Sequence, residues 1–241
     1  MSLKSVETGA ITKALNLFPG NHTPLITLVW LKEERHGQDA RRIVEKMLKY
    51  SCGPYGETAI MGGDAQLAWG ILLPEKFTPL TCWSIYENGK ELCLFEGEMY
   101  EDLPHLKLIP GDNPGISPHI AAHMRERPDR RLANLNGMYS GIYVDSRHSS
   151  AYAFGDQTGT RSLFWISDAS RFIVTGNLWA FRGCDCLDRQ WDKMALMEML
   201  TIGIPMAGRT WLAEVSQLQR GRQVISSKDD STKVRMLLEP T

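Results

Sequence analysis

Short apolar runs separated by turn-forming residues constrain the fold of this chain more than any other feature. Between Thr58 and Phe95 the runs TAIMGGDAQLAWGILLP and LTCWSIYENGKELCLFEG alternate strand-forming and turn-forming residues. Asn88 and Gly89 lie between two such runs. This pair is typical of a two-residue hairpin turn, because both residues readily adopt the positive φ angles that the turn requires. The segment therefore predicts antiparallel hairpins.

Three segments with helical spacing of apolar residues interrupt the strand-like runs. They are 37–51, 119–129, which Pro128 interrupts, and 192–203. We expect the Met and Leu residues of the third helix to fill the core. Because strands and helices do not alternate as βαβ units, the order of elements favours antiparallel sheets covered by helices, an α+β sandwich.

Composition narrows the choice of partners. A net charge of -1 over 241 residues gives no electrostatic reason to expect nucleic acid or an anionic membrane as a partner. The longest apolar run, PLITLVWL, is far shorter than the ~20 residues of a membrane-spanning helix. The N-terminus has no basic region followed by an apolar core, and the five cysteines are irregularly spaced. We therefore expect reduced thiols and a cytoplasmic location.

Two residue pairs resemble metal-binding spacings, and neither predicts a metal site. Cys184 and Cys186 are too close for a CxxC zinc knuckle, and no second half is present. His119 and His123 share a helix face but lack the Glu of an HExxH motif. We interpret the first pair as thiols in a polar loop and the second as a solvated helix face.

Several motifs resemble one family. The stretch LNGMYSGIYVDSRHSSAYAFGDQTGTRSLFW is similar to the class II glutamine amidotransferase domains of asparagine synthetases, where a Gly-Met-Phe strand leads through a hairpin to an Asp-x-x-Gly turn. CLFEGEMYED, IVTGNLWAF and PMAGRTWLAEVSQLQRGRQVI resemble further motifs of that family in the family's order. The resemblance covers roughly residues 24–225. It divides the chain into an N-terminal extension, 1–23, and an amidotransferase-like domain, 24–241.

This resemblance implies an N-terminal-nucleophile hydrolase fold, a four-layer αββα sandwich of two antiparallel sheets. The Asp156 to Gly159 turn can be interpreted from its residue types alone. The Asp carboxylate caps the turn and the glycine supplies a left-handed conformation. Arg161 is then placed to pair with a nearby carboxylate. We expect these residues to build the domain rather than to catalyse.

The family's reaction, glutamine hydrolysis, needs a nucleophile at the head of the first strand. The N-terminal Cys of the mature chain attacks the amide, its α-amine acts as base, and a backbone N–H and an Asn stabilise the oxyanion. Here the first strand begins near Thr23 with no Cys-Gly-Ile start. An alternative is an active amidohydrolase formed by autoprocessing before Thr23.

The residues that would bind glutamine are also altered. Cys52 and Gly53 stand where the family has Arg-Gly-Pro-Asp, the motif that binds the glutamine carboxylate. Glu96, before Gly97, replaces the oxyanion Asn. Asp112 is the nearest acid to the family's amino-group site. The resemblance therefore implies that these residues line a former cleft, that no residue is a convincing catalyst, and that glutaminase activity has been lost.

A comparable loss is a feature of the β-lactam synthetase branch, where the amidotransferase fold persists beside an ATP-dependent domain. That second domain carries a Ser-Gly-Gly-x-Asp-Ser pyrophosphate loop, which these 241 residues lack; IMGGDAQ has no serines and predicts a hairpin turn. We expect no cofactor in this domain, with ATP and Mg²⁺ confined to a synthetase domain that partners it in cis or in trans. A homodimer is compatible with the sequence. Most of the seven tryptophans fall in strand or helix patterns, and we expect them to lie in the core. A second alternative is a non-catalytic interaction module, which several tryptophans exposed together would indicate.

Overall fold

The computed structural model of the chain describes residues 25–33, 38–51, 57–74, 83–99, 116–126, 135–228 and 232–236. Within these ranges the strands are β1 Leu25–Leu31, β2 Glu57–Gly63, β3 Leu67–Pro74, β4 Trp83–Glu87, β5 Glu91–Met99, β6 Gly137–Asp145, β7 Ser150–Gly155, β8 Phe164–Ser167, β9 Arg171–Thr175, β10 Ser216–Gln217, β11 Arg222–Ser227 and β12 Lys233–Met236. The helices are α1 Ala40–Ser51, α2 Ser117–Glu126 and α3 Lys193–Ile202, with a 3-10 helix at Leu178–Gly183.

The strands form two six-stranded sheets. Sheet A has the order β10-β8-β9-β1-β3-β2, and sheet B has the order β12-β11-β7-β6-β5-β4. Neighbouring strands in both sheets pair antiparallel. In sheet A, β1 is a central strand that pairs with β3 on one side and with β9 on the other. The predicted antiparallel architecture is confirmed.

Side chains of β1 alternate between two apolar layers, which shows how the sheets and helices stack. Ile26 and Leu28 belong to a buried cluster that joins sheet A to sheet B. Val29 belongs to a second cluster, between sheet A and α1. A third cluster lies between sheet B and α2 and includes Phe95. Three apolar layers separate four structural layers, so the expected αββα sandwich is confirmed.

Helix α1 packs closely on sheet A because β3 carries a glycine beneath it. A Cβ atom added to Gly70 would lie 2.6 Å from Leu48 Cδ1 and 2.9 Å from Val44 Cγ1. Both side chains are fully buried, whereas Arg41 and Glu45 on the same helix are exposed. The amphipathic pattern therefore predicted both the helix and the face that it buries.

Two predicted hairpin turns are present. Gly89, between β4 and β5, has a φ of 77°, but Asn88 does not share the positive φ that the sequence predicted. Asn88 instead precedes the two central residues of the turn, and its side chain accepts hydrogen bonds from the backbone N–H groups of Lys90 and Glu91. Gly63, between β2 and β3, has a φ of 94°. The GGD motif is therefore a turn between antiparallel strands, as predicted.

The Asp156 carboxylate organises the turn after β7. Its Oδ1 atom accepts hydrogen bonds from the backbone N–H groups of Thr158 and Gly159, both at 2.7 Å, and Gly159 has a φ of 70°. Its Oδ2 atom accepts from the N–H of Tyr139 on β6 at 3.2 Å. Six or more donors satisfy this carboxylate, and they hold its pKa low against the effect of burial. Asp156 thus has the structural role that its sequence predicts.

Three expectations about buried side chains are wrong. Helix α3 forms where predicted, but only Ala195 is buried in it, so its Met and Leu residues do not fill the core. Trp191 and Trp179 are also exposed, although the sequence pattern suggested core positions. Cys184 is fully buried rather than in a polar loop, because it caps the 3-10 helix that packs on α1. An apolar periodicity identifies a helix face but not what covers it.

Residues 1–23 lie outside the described residues, so the division at residue 24 stays a prediction. None of the helices in the described ranges is long and apolar enough to cross a membrane.

Candidate functional site

The side chain of Glu96 lies between the two sheets. Residues alternate along β5, and Leu92 and Leu94 belong to the cluster between sheets A and B. Glu96 continues that alternation, so its carboxyl group lies on the same side and only 3% of the residue is exposed. A carboxyl group in an apolar layer is costly unless it is paired, which makes this position the first candidate for function.

Only one oxygen of this carboxyl group has a partner among the described residues. Ser140 is the register partner of Glu96 on β6, and its Oγ atom donates a 2.6 Å hydrogen bond to Oε1. Oε2 is buried, and no described residue makes a hydrogen bond to it. Burial raises the pKa of Glu96 to about 7, although the Ser140 hydrogen bond and the charge of Arg161 act in the opposite direction. At neutral pH the group is therefore close to half protonated.

Sheet A contributes a glycine to the same site. A Cβ atom added to Gly176, which follows β9, would lie 3.7 Å from Glu96 Oε1 and 3.2 Å from Leu25 Cδ1. Leu25 is the first residue of β1. The carboxyl group of Glu96 therefore lies close to the start of β1, where the resemblance places the nucleophile.

Gly97 holds the backbone beside Glu96 in a conformation that favours glycine. Its φ is 122°, and an added Cβ atom would lie 2.1 Å from the carbonyl oxygen of Met138 on the neighbouring strand. No L side chain fits this position without displacing β6. The glycine of the family's Asn-Gly-Glu motif is thus required here by geometry, although the Asn before it is replaced.

The other predicted cleft residues cannot be compared with this geometry. Thr23, Cys52, Gly53 and Asp112 lie outside the described residues. Their grouping around Glu96 stays a prediction. Ser140 and Gly176, which border the carboxyl group of Glu96, and Arg161, whose charge acts on it, were not expected at this site. The register of β5 on β6 would have been needed to identify Ser140, and a single strand pattern does not supply it.

A second buried carboxyl group, that of Glu91, has several hydrogen-bond donors and is ionised at neutral pH. Glu91 accepts hydrogen bonds from Arg125 at 2.8 and 2.6 Å, from Tyr143 at 2.7 Å and from Arg147 at 2.8 Å. Hydrogen bonds from Arg125, the largest effect, lower the pKa of Glu91 to about 2. Because Arg125 lies on α2 and Tyr143 on β6, this network fixes the helix on sheet B. Both oxygens of the Glu91 carboxylate accept hydrogen bonds, so we assign this network to stability rather than function.

A cavity of about 220 Å³ lies at the other end of β1 from Glu96. Trp30, Asp145 and Lys228 are among the residues that line it. Among the residues of the described ranges, no group of three or more His, Cys, Asp or Glu side chains could hold a metal ion. His119 and His123 both lie on α2.

Comparison with protein families matches residues 119–236 to the glutamine amidotransferase domain. The match covers just under half of the 241 residues. No curated protein matches the sequence.

Solved structures that match the chain include two amidotransferases. The glutamine phosphoribosylpyrophosphate amidotransferase of B. subtilis, complexed with ADP and GMP, is 13% identical with a TM-score of 0.48, over 90% of this chain and 50% of that one. A predicted glutamine amidotransferase of Pseudomonas aeruginosa PA01 is 9% identical with a TM-score of 0.34, over 88% of this chain and 96% of that one. This chain spans about half the length of the B. subtilis enzyme.

Proposed function

We propose that this chain is the amidotransferase-type part of an asparagine-synthetase-related protein, and the match of residues 119–236 to the glutamine amidotransferase domain supports this. In this proposal it does not hydrolyse glutamine. It acts as the structural partner of an ATP-dependent domain that forms an amide, as in asparagine or β-lactam synthetases. The partner domain is joined to it in cis or binds it in trans.

The buried carboxyl group of Glu96 carries this proposal. Hydrolysis of an amide passes through a tetrahedral intermediate whose negative oxygen needs hydrogen-bond donors. An ionised carboxylate only accepts hydrogen bonds. With a pKa of about 7, Glu96 has a populated ionised form at neutral pH. In that form the group that replaces the family's Asn opposes the charge that the reaction develops, whereas an Asn amide is a donor in every molecule.

The surroundings of Glu96 do not compensate for this change. Ser140, the nearest hydroxyl donor on β6, already donates to Glu96 Oε1. Gly176 offers no side chain at the adjacent position of sheet A. Of the described side chains, Arg161 acts on the carboxyl group through its charge, and this effect is smaller than that of burial. These contacts support a site that keeps the family's backbone geometry, through Gly97, without its donor chemistry.

Glutamine hydrolysis by the purified chain tests the loss of activity. We expect no glutamate above the enzyme-free blank at pH 6 or pH 8, and an intact mass that begins at Met1 or Ser2. The matched variant Glu96→Asn restores the family's residue, and we expect it to remain inactive because the head of β1 has no free α-amine. Glutamate production by a chain whose mass begins at Thr23 would overturn the proposal and support the autoprocessed amidohydrolase instead.

The partner role has a separate test. Pyrophosphate release from ATP by the cognate amide-forming domain should need this chain, should need an amine or ammonia as nitrogen source, and should not respond to glutamine. ATP with Mg²⁺ should leave the melting temperature of this chain unchanged, because the proposal places the nucleotide site in the other domain. Full activity of the ATP-dependent domain without this chain would contradict the role of structural partner.

A further inference from the structure

Helix α3 and the residues that flank it expose an apolar surface of unusual extent. Between 58% and 83% of each of six large side chains is exposed, where a solvent-facing helix normally carries polar residues. We call this the α3 surface and define it by Trp191, Met194, Met197, Leu200, Ile202 and Ile204. Met194, Met197 and Leu200 recur every three residues, so they form a stripe along one face of the helix.

This surface is held in place by its own hydrogen bonds. The side chain of Asp192 caps the N-terminus of α3 by accepting from the backbone N–H groups of Met194 at 2.9 Å and Ala195 at 3.0 Å. Gly203 ends the helix in a left-handed conformation and donates to the carbonyl of Met199 at 3.1 Å. Glu198 accepts from the N–H of Met206 at 2.8 Å and pairs with Arg209. The stripe is therefore presented by an ordered helix rather than by a frayed segment.

The exposed area matches one side of a protein interface. A large aromatic side chain presents ~150–250 Å² when fully exposed, so the six partly exposed residues present on the order of 700 Å² in total. Each partner in an interface of standard size contributes ~800 Å². Apolar patches larger than a few hundred Å² are rare on monomers. The α3 surface is thus large enough for a stable dimer if the same surface meets its copy.

The charges along α3 also favour a second copy of this chain as the partner that binds the α3 surface. Asp192 and Glu198 are used within the chain as cap and ion pair, so Lys193 is the remaining charge along α3, and it is exposed. The last turn of α3 has no basic residue to offset the negative end of the helix dipole. An antiparallel copy would place its Lys193 beside that end. Each helix then supplies the cation that the other lacks.

We propose that the chain forms a homodimer through the α3 surface, with the two α3 helices antiparallel and Met197 near the centre. A two-fold interface of this kind is isologous, so every contact occurs twice. The inference does not depend on the proposed function, because it uses none of the residues around Glu96.

Sedimentation velocity over a range of protein concentrations tests this dimer. The wild-type chain should move from monomer to twice the monomer mass as its concentration rises. Leu200→Lys should weaken the dimer at least 100-fold, because it places a charge from each copy inside an apolar interface. Met236→Lys is the matched control: Met236 is 54% exposed on β12, outside the α3 surface, and the dimer should persist. Circular dichroism verifies that both variants fold.

Lys193→Glu separates an interface role from a role within the chain. An acidic residue in the first turn suits the positive end of the helix dipole, so the variant's melting temperature at low concentration should not fall. Its dimer should nevertheless weaken about fivefold or more, because the cation offered to the other copy is lost. A wild-type chain that stays monomeric at several hundred micromolar would overturn the proposal and leave the surface to a different protein. A dimer that Leu200→Lys leaves intact would overturn it as well.

Discussion

The hydroxyl of Ser140 donates a 2.6 Å hydrogen bond to Oε1 of Glu96, while no described residue satisfies Oε2 of the same carboxyl group. The two residues face each other across β5 and β6 in a layer that is otherwise apolar. A buried carboxyl group with one partner favours its neutral form. The stability of the fold should therefore depend on pH through Glu96.

We expect the free energy of unfolding to fall as the pH rises from about 5 to 7. The pKa of Glu96 in the folded chain, about 7, exceeds its ordinary value of 4.5, so the folded chain binds more protons than the unfolded chain between these values. The loss amounts to roughly 2 kcal/mol over this range. Glu96→Gln should remove this slope, whereas Glu45→Gln, at an exposed position of α1, should keep it. Urea unfolding at several pH values measures the effect, and a slope that survives in Glu96→Gln would contradict it.

The network around Glu91 should act in the opposite direction and at lower pH. Its pKa of about 2 lies below the ordinary value, so its contribution is present above pH 5 and is lost as the pH falls toward 2. Arg125→Ala removes two hydrogen bonds to Glu91, and we expect a loss of about 1–2 kcal/mol at pH 7, because the Arg125 side chain is 43% exposed and Tyr143 and Arg147 still donate. The acid unfolding midpoint should move to higher pH. Arg235→Ala, at an exposed position of β12, serves as the control and should change neither quantity.

Gly97→Ala should destabilise the chain far more than Gly89→Ala. Both residues have positive φ angles, but an added Cβ meets backbone atoms of β6 at Gly97 and nothing within 4 Å at Gly89. We expect about 1 kcal/mol for the conformational strain at Gly89 and at least 3 kcal/mol at Gly97, where β6 must also move. Thermal unfolding of the two variants tests the difference. Equal losses would show that β6 adapts to the added atom.

Cys186 should be the most reactive of the cysteines in the described ranges. A hydrogen bond from the Cys184 thiol and the charge of Arg171 lower the pKa of Cys186, whereas burial raises the pKa of Cys93 to about 12. Alkylation at pH 7, followed by peptide mass spectrometry, should modify Cys186 well before Cys93. Cys184→Ala should slow the reaction at Cys186, because the stabilising donor is removed. Equal labelling of Cys186 and Cys93 would contradict this assignment.

Local sequence patterns predicted much of the fold. Asn-Gly and Gly-Gly-Asp turns, the alternation of β5 and the amphipathic face of α1 each depend on residues that are close in the chain. The Asp156 turn was predictable for the same reason, since its donors come largely from the next four residues. These features combined into the correct four-layer class.

The remaining features depend on contacts between distant residues. The hydrogen bond from Ser140 to Glu96 joins positions 44 residues apart, and only the register of two strands reveals it. The exposure of Leu200 depends on which elements pack near α3, and the helical spacing of apolar residues does not predict which elements those are. Strand β12, which the sequence patterns did not predict, is short, and none of its four residues is buried, so it carries no alternation of buried and exposed positions.

The position of β1 in sheet A has a consequence for synthesis of the chain on the ribosome. Thr27 on β1 pairs with Thr175 on β9, a separation of 148 residues. At bacterial or eukaryotic translation rates, the ribosome needs on the order of ten seconds to make the residues between them. During that interval one edge of β1 can pair with β3, which has already been made. The other edge of β1 has no strand to pair with until β9 is made. The nascent chain must therefore protect an apolar strand edge until most of the protein has been translated.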